Sequence, residues 1–265
     1  MKGIVLAGGS ATRLYPLTAT TSKQLLPVYD RQMIFYPLNT LIKAGIKEIL
    51  VIVSPEHSGQ FLNLLGSLFK NQGIQLLFEV QRVPRGLPEA FILGENFLDG
   101  DSATLILGDN IFEDDFSQDI KDFKSGGKIF ATKVPDPERS GVVKFDQQDK
   151  VIQIVEKPKK WISDYAVTGL YVYDHRVVEV AKNLKPSARQ ELEIVDLHNH
   201  YLAQGELAVK TFTGAWLDAG TFDSLLEAGR VVKEKKIYEN FHPIINEAIA
   251  EFNERLKTLL KKMLK

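Results

Sequence analysis

Gly8-Gly9-Ser10-Ala11-Thr12-Arg13 follows directly on an apolar run at residues 4–7. Glycines let the backbone come close to a ligand and turn its N–H groups toward phosphates. Arg13 adds a guanidinium that can grip two phosphate oxygens at once. The spacing fits neither a Walker A loop nor the dinucleotide fingerprint. A glycine pair after a strand also serves ordinary tight turns, so the loop alone decides little. Lys23, in Ser22-Lys23-Gln24-Leu25-Leu26-Pro27, is a second cation close by in sequence. A solvated surface lysine is its bland alternative.

Carboxylates stand at two comparable places. Leu107-Gly108-Asp109-Asn110 closes another apolar run. Ligands of open α/β sheets sit beyond the carboxyl ends of strands. A carboxylate there can hold Mg²⁺ against triphosphate oxygens, and Asp109 could equally make a turn or cap a helix. Asp218, in Ala215-Trp216-Leu217-Asp218-Ala219-Gly220-Thr221, is a second candidate Mg²⁺ ligand, with helix capping as its alternative. Glu156-Lys157-Pro158 follows a further strand-like run; Lys157 could meet a phosphate and Glu156 a hydroxyl, although exposed Glu–Lys pairs are usually inert. His198 and His200, two apart, would point to different faces of a helix, so the five histidines are read as structural. No G-x-S-x-G nucleophile elbow is present.

The elements that must hold these groups alternate. Apolar runs of strand length lie at 4–7, 49–53, 76–80, 103–107 and 129–134. Between the first four, Met33, Leu38, Leu41 and Ile42 share one helical face, with Gly45 as a stop. Phe61, Leu64, Leu65 and Leu68 share another, and Ala90, Phe91, Leu93 and Phe97 a third. This order predicts a largely parallel sheet with helices on both faces. After Val134 the rhythm changes. Residues 142–145 and 151–155 read as a hairpin, 166–173 and 207–212 as strands, and 176–183 and 194–204 as helices. Ile245, Ala248, Ile249, Phe252, Leu256, Leu259, Leu260 and Met263 recur at helical spacing with lysines opposite, predicting a helix docked on its own domain or on a neighbouring subunit.

Composition narrows the classes of function. The 265 residues are 44% hydrophobic and 25% charged, with a formal net charge of −1. No global basic field would draw nucleic acid, so a polyanion site must be local. The absence of cysteine excludes disulfides and thiolate metal sites. No run approaches the ~20 apolar residues of a membrane span, and the cytoplasm is the expected compartment.

Together these pieces resemble the sugar-nucleotide pyrophosphorylases, over the chain from Met1 to about Val232. Residues 22–30 and 107–112, Asp136-Pro137-Glu138-Arg139, residues 165–171 and Ala215-Trp216-Leu217-Asp218 are similar to the thymidylyl branch. The resemblance implies an α/β fold, Rossmann-like and three-layered (α/β/α), with a mixed central sheet. It implies a nucleotidyltransferase domain over 1–232 and a helical extension over 233–265. It implies dTTP and glucose 1-phosphate as substrates, Mg²⁺ as cofactor, and a homo-oligomer, dimer or tetramer. Leu6, Gly8, Gly9, Ser10, Ala11, Thr12, Arg13, Lys23 and Asp109 would hold the nucleotide, with Gln81 and Gly86 at the base. Gly141, Glu156, Val167 and Glu191 would line the sugar pocket, Lys157 would meet its phosphate, and Arg189 would add charge beside it. Asp109 and Asp218 would hold the metal. Arg13, Lys23, Asp109, Lys157 and Asp218 would carry the catalysis. The same chemistry with UTP or another sugar 1-phosphate is the alternative, as is a silent regulator that binds nucleotide-sugars.

The chain departs from the family at several positions. Ala11 replaces a glycine, at a cost of about 1 kcal/mol if its φ is positive. Ser140 replaces a tyrosine. Pro88-Glu89 replaces Ala followed by Gln or Asp, beside the base site.

Overall fold

The computed structural model describes residues 1–9, 11–69 and 71–263. Among the described residues thirteen strands follow one another. They are β1 (Lys2–Ala7), β2 (Pro27–Val28), β3 (Arg31–Gln32), β4 (Glu48–Val53), β5 (Gln75–Val80), β6 (Ala103–Leu107) and β7 (Asn110–Phe112). Then come β8 (Gly127–Lys133), β9 (Gly141–Phe145), β10 (Val151–Glu156), β11 (Tyr165–Tyr173), β12 (Leu207–Phe212) and β13 (Trp216–Asp218).

Nine of them form one mixed sheet. Its main path runs β10-β9-β11-β6-β1-β4-β5; off this path β8 pairs with β11, and β12 pairs with β8. The half built from β6, β1, β4 and β5 is parallel, as the strand–helix alternation predicts. Beyond β6 the sheet reverses, because β11 pairs antiparallel with β6, β8 and β9. The predicted hairpin is β9–β10, antiparallel. The sheet is thus mixed rather than largely parallel, and the change falls where the helical crossovers stop.

Strands inside such a sheet are buried on both faces, which explains their unbroken apolar runs. Along β1, Val5 and Ala7 join one core, and Ile4 and Leu6 join the other. Helices Phe35–Lys43, Ser58–Leu65 and Phe222–Glu234 supply residues to the first core. Helices Val177–Asn183 and Ile194–Ala203 supply the second. The expected third helix is broken in two, Glu89–Leu93 and Glu95–Leu98. Gly94 lies at the break, where an added Cβ would stand 3.2 Å from Ile4 and 3.3 Å from Leu50. Close packing on the sheet governs there, not helical continuity.

The tail forms a helix, Pro243–Met263. Ile245 and Ala248 are buried in the first core, with Ile249 and Phe252 packed against it. The side chains of Leu256, Leu259, Leu260 and Met263 lie outside the described residues. Among the described residues no helix is long and apolar enough to cross a membrane.

Candidate active site

Strands β1 and β6 pair in register, Leu6 opposite Leu107, so their carboxyl ends finish level. Two loops therefore leave the sheet side by side, one through Gly8 and one through Gly108. Gly108 donates its N–H to Leu6 O at 2.9 Å. Past Gly9, Ala11 takes a left-handed conformation at φ 44°. The short 3-10 turn Thr12–Leu14 follows, with Leu14 buried as its anchor and Thr12 and Arg13 exposed. Ser10 lies outside the described residues.

Asp109 caps no helix, because β7 begins at the next residue. β7 pairs antiparallel with β13 and sets Asp218 opposite Asn110. This pairing brings together two carboxylates far apart in sequence. Thr221, not Asp218, caps the following helix, through a reciprocal capping box with Ser224. Both capping alternatives for the carboxylates therefore fall away.

Lys23 donates to Asp109 Oδ2 in a mostly buried ion pair. Asn110 Nδ2 donates to the other oxygen at 3.0 Å. Burial pushes the Asp109 carboxyl up, but the Lys23 charge and these hydrogen bonds outweigh it and hold the group below its ordinary value. Asp218 behaves in the opposite way. It keeps an open face to solvent, yet the protein packed around it, and then the Asp109 charge, raise its pKa to about 6. Arg13 leans toward it over Gly220: a Cβ on that glycine would lie 2.9 Å from Arg13 Nη2 and 3.2 Å from Asp218 Oδ1. A side chain there would separate the guanidinium from the carboxylate.

Two facing carboxylates, one of them resisting ionisation, suit a divalent cation. The oxygens are hard donors, and a cation would relieve their repulsion. Among the described residues no group of three or more His, Cys, Asp or Glu forms a metal cage.

Beside this pair opens a cleft of about 280 Å³. Leu6, Gly8, Gly9, Gln81 and Gly86 line one part, and Glu156, Lys157, Arg189 and Glu191 another. Gly86, at φ +100°, forms an isolated parallel bridge with Leu192. A Cβ there would stand 2.0 Å from Leu192 O, so only glycine fits. Gly141 packs by Glu156 and Val167, its notional Cβ lying 3.5 Å and 3.7 Å from them. Glu156 meets Arg189 at 3.4 Å and Lys157 at 3.6 Å. The structure thus gathers most of the described candidates into two clusters, the carboxylate pair and the cleft, while Ala11 and Thr12 stay apart at the start of the 3-10 turn.

Sequence reasoning gave no role to three residues that matter here. Arg139 places its charge within range of Asp218, although its nearest partner is Asp136 at 2.8 Å. Asn110 is buried, and its Oδ1 accepts from Gly169 N at 2.9 Å and Trp216 Nε1 at 2.6 Å. It thereby locks Asp109 to β11 and β13. Glu89 accepts from Gln81 Nε2 at 2.7 Å. Arg139 and Asn110 stand inside the motifs that carry the resemblance and Glu89 among the departures from it, but their contacts become visible only in the folded chain.

The chain belongs to the nucleotidyl transferase family, whose pattern matches residues 2–235. It is 49% identical to a glucose-1-phosphate thymidylyltransferase of Neisseria meningitidis, over all of this chain and 96% of that one. The corresponding enzyme of Mycolicibacterium smegmatis is 44% identical, over 100% and 95%. A crystal structure from Bacillus anthracis, described as a glucose-1-phosphate thymidylyltransferase in complex with sucrose, superposes with a TM-score of 0.85. It is 42% identical and covers 93% of this chain and 99% of its own. A UDP-glucose pyrophosphorylase shares the fold, with a TM-score of 0.75 at 21% identity over 88% of this chain and 98% of that one.

Proposed function

We propose that the protein transfers a deoxythymidylyl group from dTTP to glucose 1-phosphate, giving dTDP-glucose and pyrophosphate. The observation that carries this is the meeting of Asp109 and Asp218 between Lys23 and Arg13, at the level carboxyl ends of β1 and β6. The named relatives, alike over the whole chain, supply the choice of substrates.

A sugar 1-phosphate is already a nucleophile at neutral pH, so no protein base is needed. Its phosphate oxygen attacks the α-phosphorus; a new P–O bond forms, the α–β bridging bond breaks, and the electron pair leaves with pyrophosphate. Two polyanions must be brought into line, and charge builds on the leaving group. Positioning and electrostatics are therefore the main work. Arg13 and Lys23 hold the triphosphate and the departing pyrophosphate. Lys157 meets the sugar phosphate, while Gly141, Glu156, Val167 and Glu191 shape the sugar side and Arg189 adds charge. Gln81 and Gly86 read the pyrimidine. Asp109 and Asp218 hold Mg²⁺, which when bound neutralises charge on the phosphates. Residues 233–265 form an extension to this domain, and the assembly is a homo-oligomer in the cytoplasm.

Pyrophosphate release from dTTP, UTP, GTP, CTP and ATP against several hexose 1-phosphates tests the reading. A maximum at dTTP with glucose 1-phosphate is expected. A maximum at another pair would overturn the substrates and keep the chemistry, and silence across the grid would overturn both.

A further inference from the structure

Gln81 is almost wholly buried, and its amide has two faces to offer. Its Nε2 donates to Glu89 Oε2 at 2.7 Å. The same oxygen accepts Arg85 N–H at 3.0 Å, and Arg85 Nε stands 3.8 Å from Oε1 of that carboxylate. An ionised carboxylate only accepts, so the NH₂ of Gln81 must face Glu89. The amide oxygen is then turned the other way. It faces Gly8, where a Cβ would lie 2.7 Å from it. Both residues line the cleft, and among the described residues nothing donates to that oxygen. The pocket thus holds an amide acceptor that is open to the cleft and, among the described residues, takes no donor, beside a carboxylate that prevents the amide from flipping.

We propose that Glu89 is a positioning residue for base selection: it locks Gln81 with its carbonyl oxygen toward the base, so that the site takes a pyrimidine carrying an imino N–H and rejects one with a bare ring nitrogen. This rests on the reading that Gln81 meets the base. Thymine donates N3–H to the waiting oxygen. Cytosine presents a lone pair at N3, and the two acceptors repel while both stay unpaired. A site built around one buried hydrogen bond discriminates strongly against an analogue that cannot make it. Glu89 itself touches no substrate.

The test measures kcat/KM for dTTP and dCTP with glucose 1-phosphate and Mg²⁺, on the full chain and on Glu89→Ala and Glu89→Gln. The wild type is expected to prefer dTTP by about a hundredfold or more. Glu89→Ala should cut that ratio by about tenfold, through dTTP, with the KM for glucose 1-phosphate unchanged. Glu89→Gln should keep most of the ratio, because its own amide oxygen can still accept. Equal proportional losses on both nucleotides in Glu89→Ala, leaving the ratio intact, would overturn the role of Glu89. Calorimetric binding of dTTP and N3-methyl-dTTP to the wild type needs no variant; the methyl should weaken binding by about a hundredfold, and equal affinities would overturn the acceptor orientation. A wild type that does not turn over dTTP sinks the substrate reading and this inference together. One that uses dTTP with a ratio indifferent to residue 89 sinks the inference alone.

Discussion

The two ends of the parallel strands both carry carboxylates among cations, to opposite effect. At the amino end, Asp174 follows β11, whose Tyr173 pairs with Ala103 at the start of β6. Asp174 is buried and fully engaged. It accepts Gly126 N–H at 2.8 Å, Tyr201 O–H at 3.2 Å and Arg176 Nη2 at 2.6 Å, and Arg176 also binds Glu206 at 2.5 Å. Burial raises its pKa, but the Arg176 and backbone hydrogen bonds outweigh that and hold it below the ordinary value. At the carboxyl end, Lys23 satisfies Asp109 while Asp218 is raised to about 6. One cluster is closed and stabilises the fold. The other carries an unresolved repulsion that a ligand can relieve. The same residue types make a fastener or a site according to whether their charges are already matched.

The largest break expected in this contrast is Asp109→Asn. Turnover should fall by about a thousandfold, the scale of one lost electrostatic contact to a transition state. Thermal stability should stay within about 1 kcal/mol, because the repulsion with Asp218 goes too. Steady-state kinetics at saturating Mg²⁺ beside a melting curve checks both, and near-normal turnover would remove Asp109 from the chemistry. Asp174→Ala should do the reverse, costing about 3 kcal/mol of stability, the upper range for hydrogen bonds to a charged group, with kcat little changed. Its pH dependence has a definite sign. A depressed carboxyl contributes above its unfolded pKa, so the deficit should be full at neutral pH and shrink as pH falls below about 4.

Smaller effects sharpen the comparison. Asp218 is raised, so its charged form is disfavoured in the folded protein and the penalty fades as pH falls through about 6. In chelator-treated protein, Asp218→Asn should therefore melt higher than the wild type at pH 7.5, and the gain should vanish toward pH 4. A constant offset would show that no repulsion is stored there. Lys157→Ala should raise the KM for glucose 1-phosphate by about tenfold and that for dTTP far less, as expected for one charged contact; equal rises would misplace the lysine. Ala11→Gly should stabilise by about 1 kcal/mol, since alanine sits at φ 44°. Chemical denaturation reads that shift, and a destabilised variant would mean that the loop relaxes some other way.

Much of this was legible in the sequence because strand ends announce themselves. Gly8 and Gly108 follow apolar runs, so Arg13, Asp109 and their neighbours could be placed before any contact was known. β7 and β13 were not legible, since three residues carry too little periodicity to register. Yet their pairing is what sets Asp218 against Asp109. Ser140 looked like a lost aromatic; its carbonyl accepts Lys157 N–H at 3.0 Å, at a lysine held at φ 42°. Nothing in local spacing marks such a contact. The break at Gly94 was hidden for the same reason, because it answers to Ile4 and Leu50 on the sheet below.

The bridge between Gly86 and Leu192 has one more consequence. Leu192 N–H donates to Arg85 O at 2.7 Å, stitching the segment assigned to the pyrimidine to the segment that carries Arg189 and Glu191. The two halves of the cleft are therefore joined by main chain. Such a stitch ties the placement of one segment to that of the other through the backbone alone.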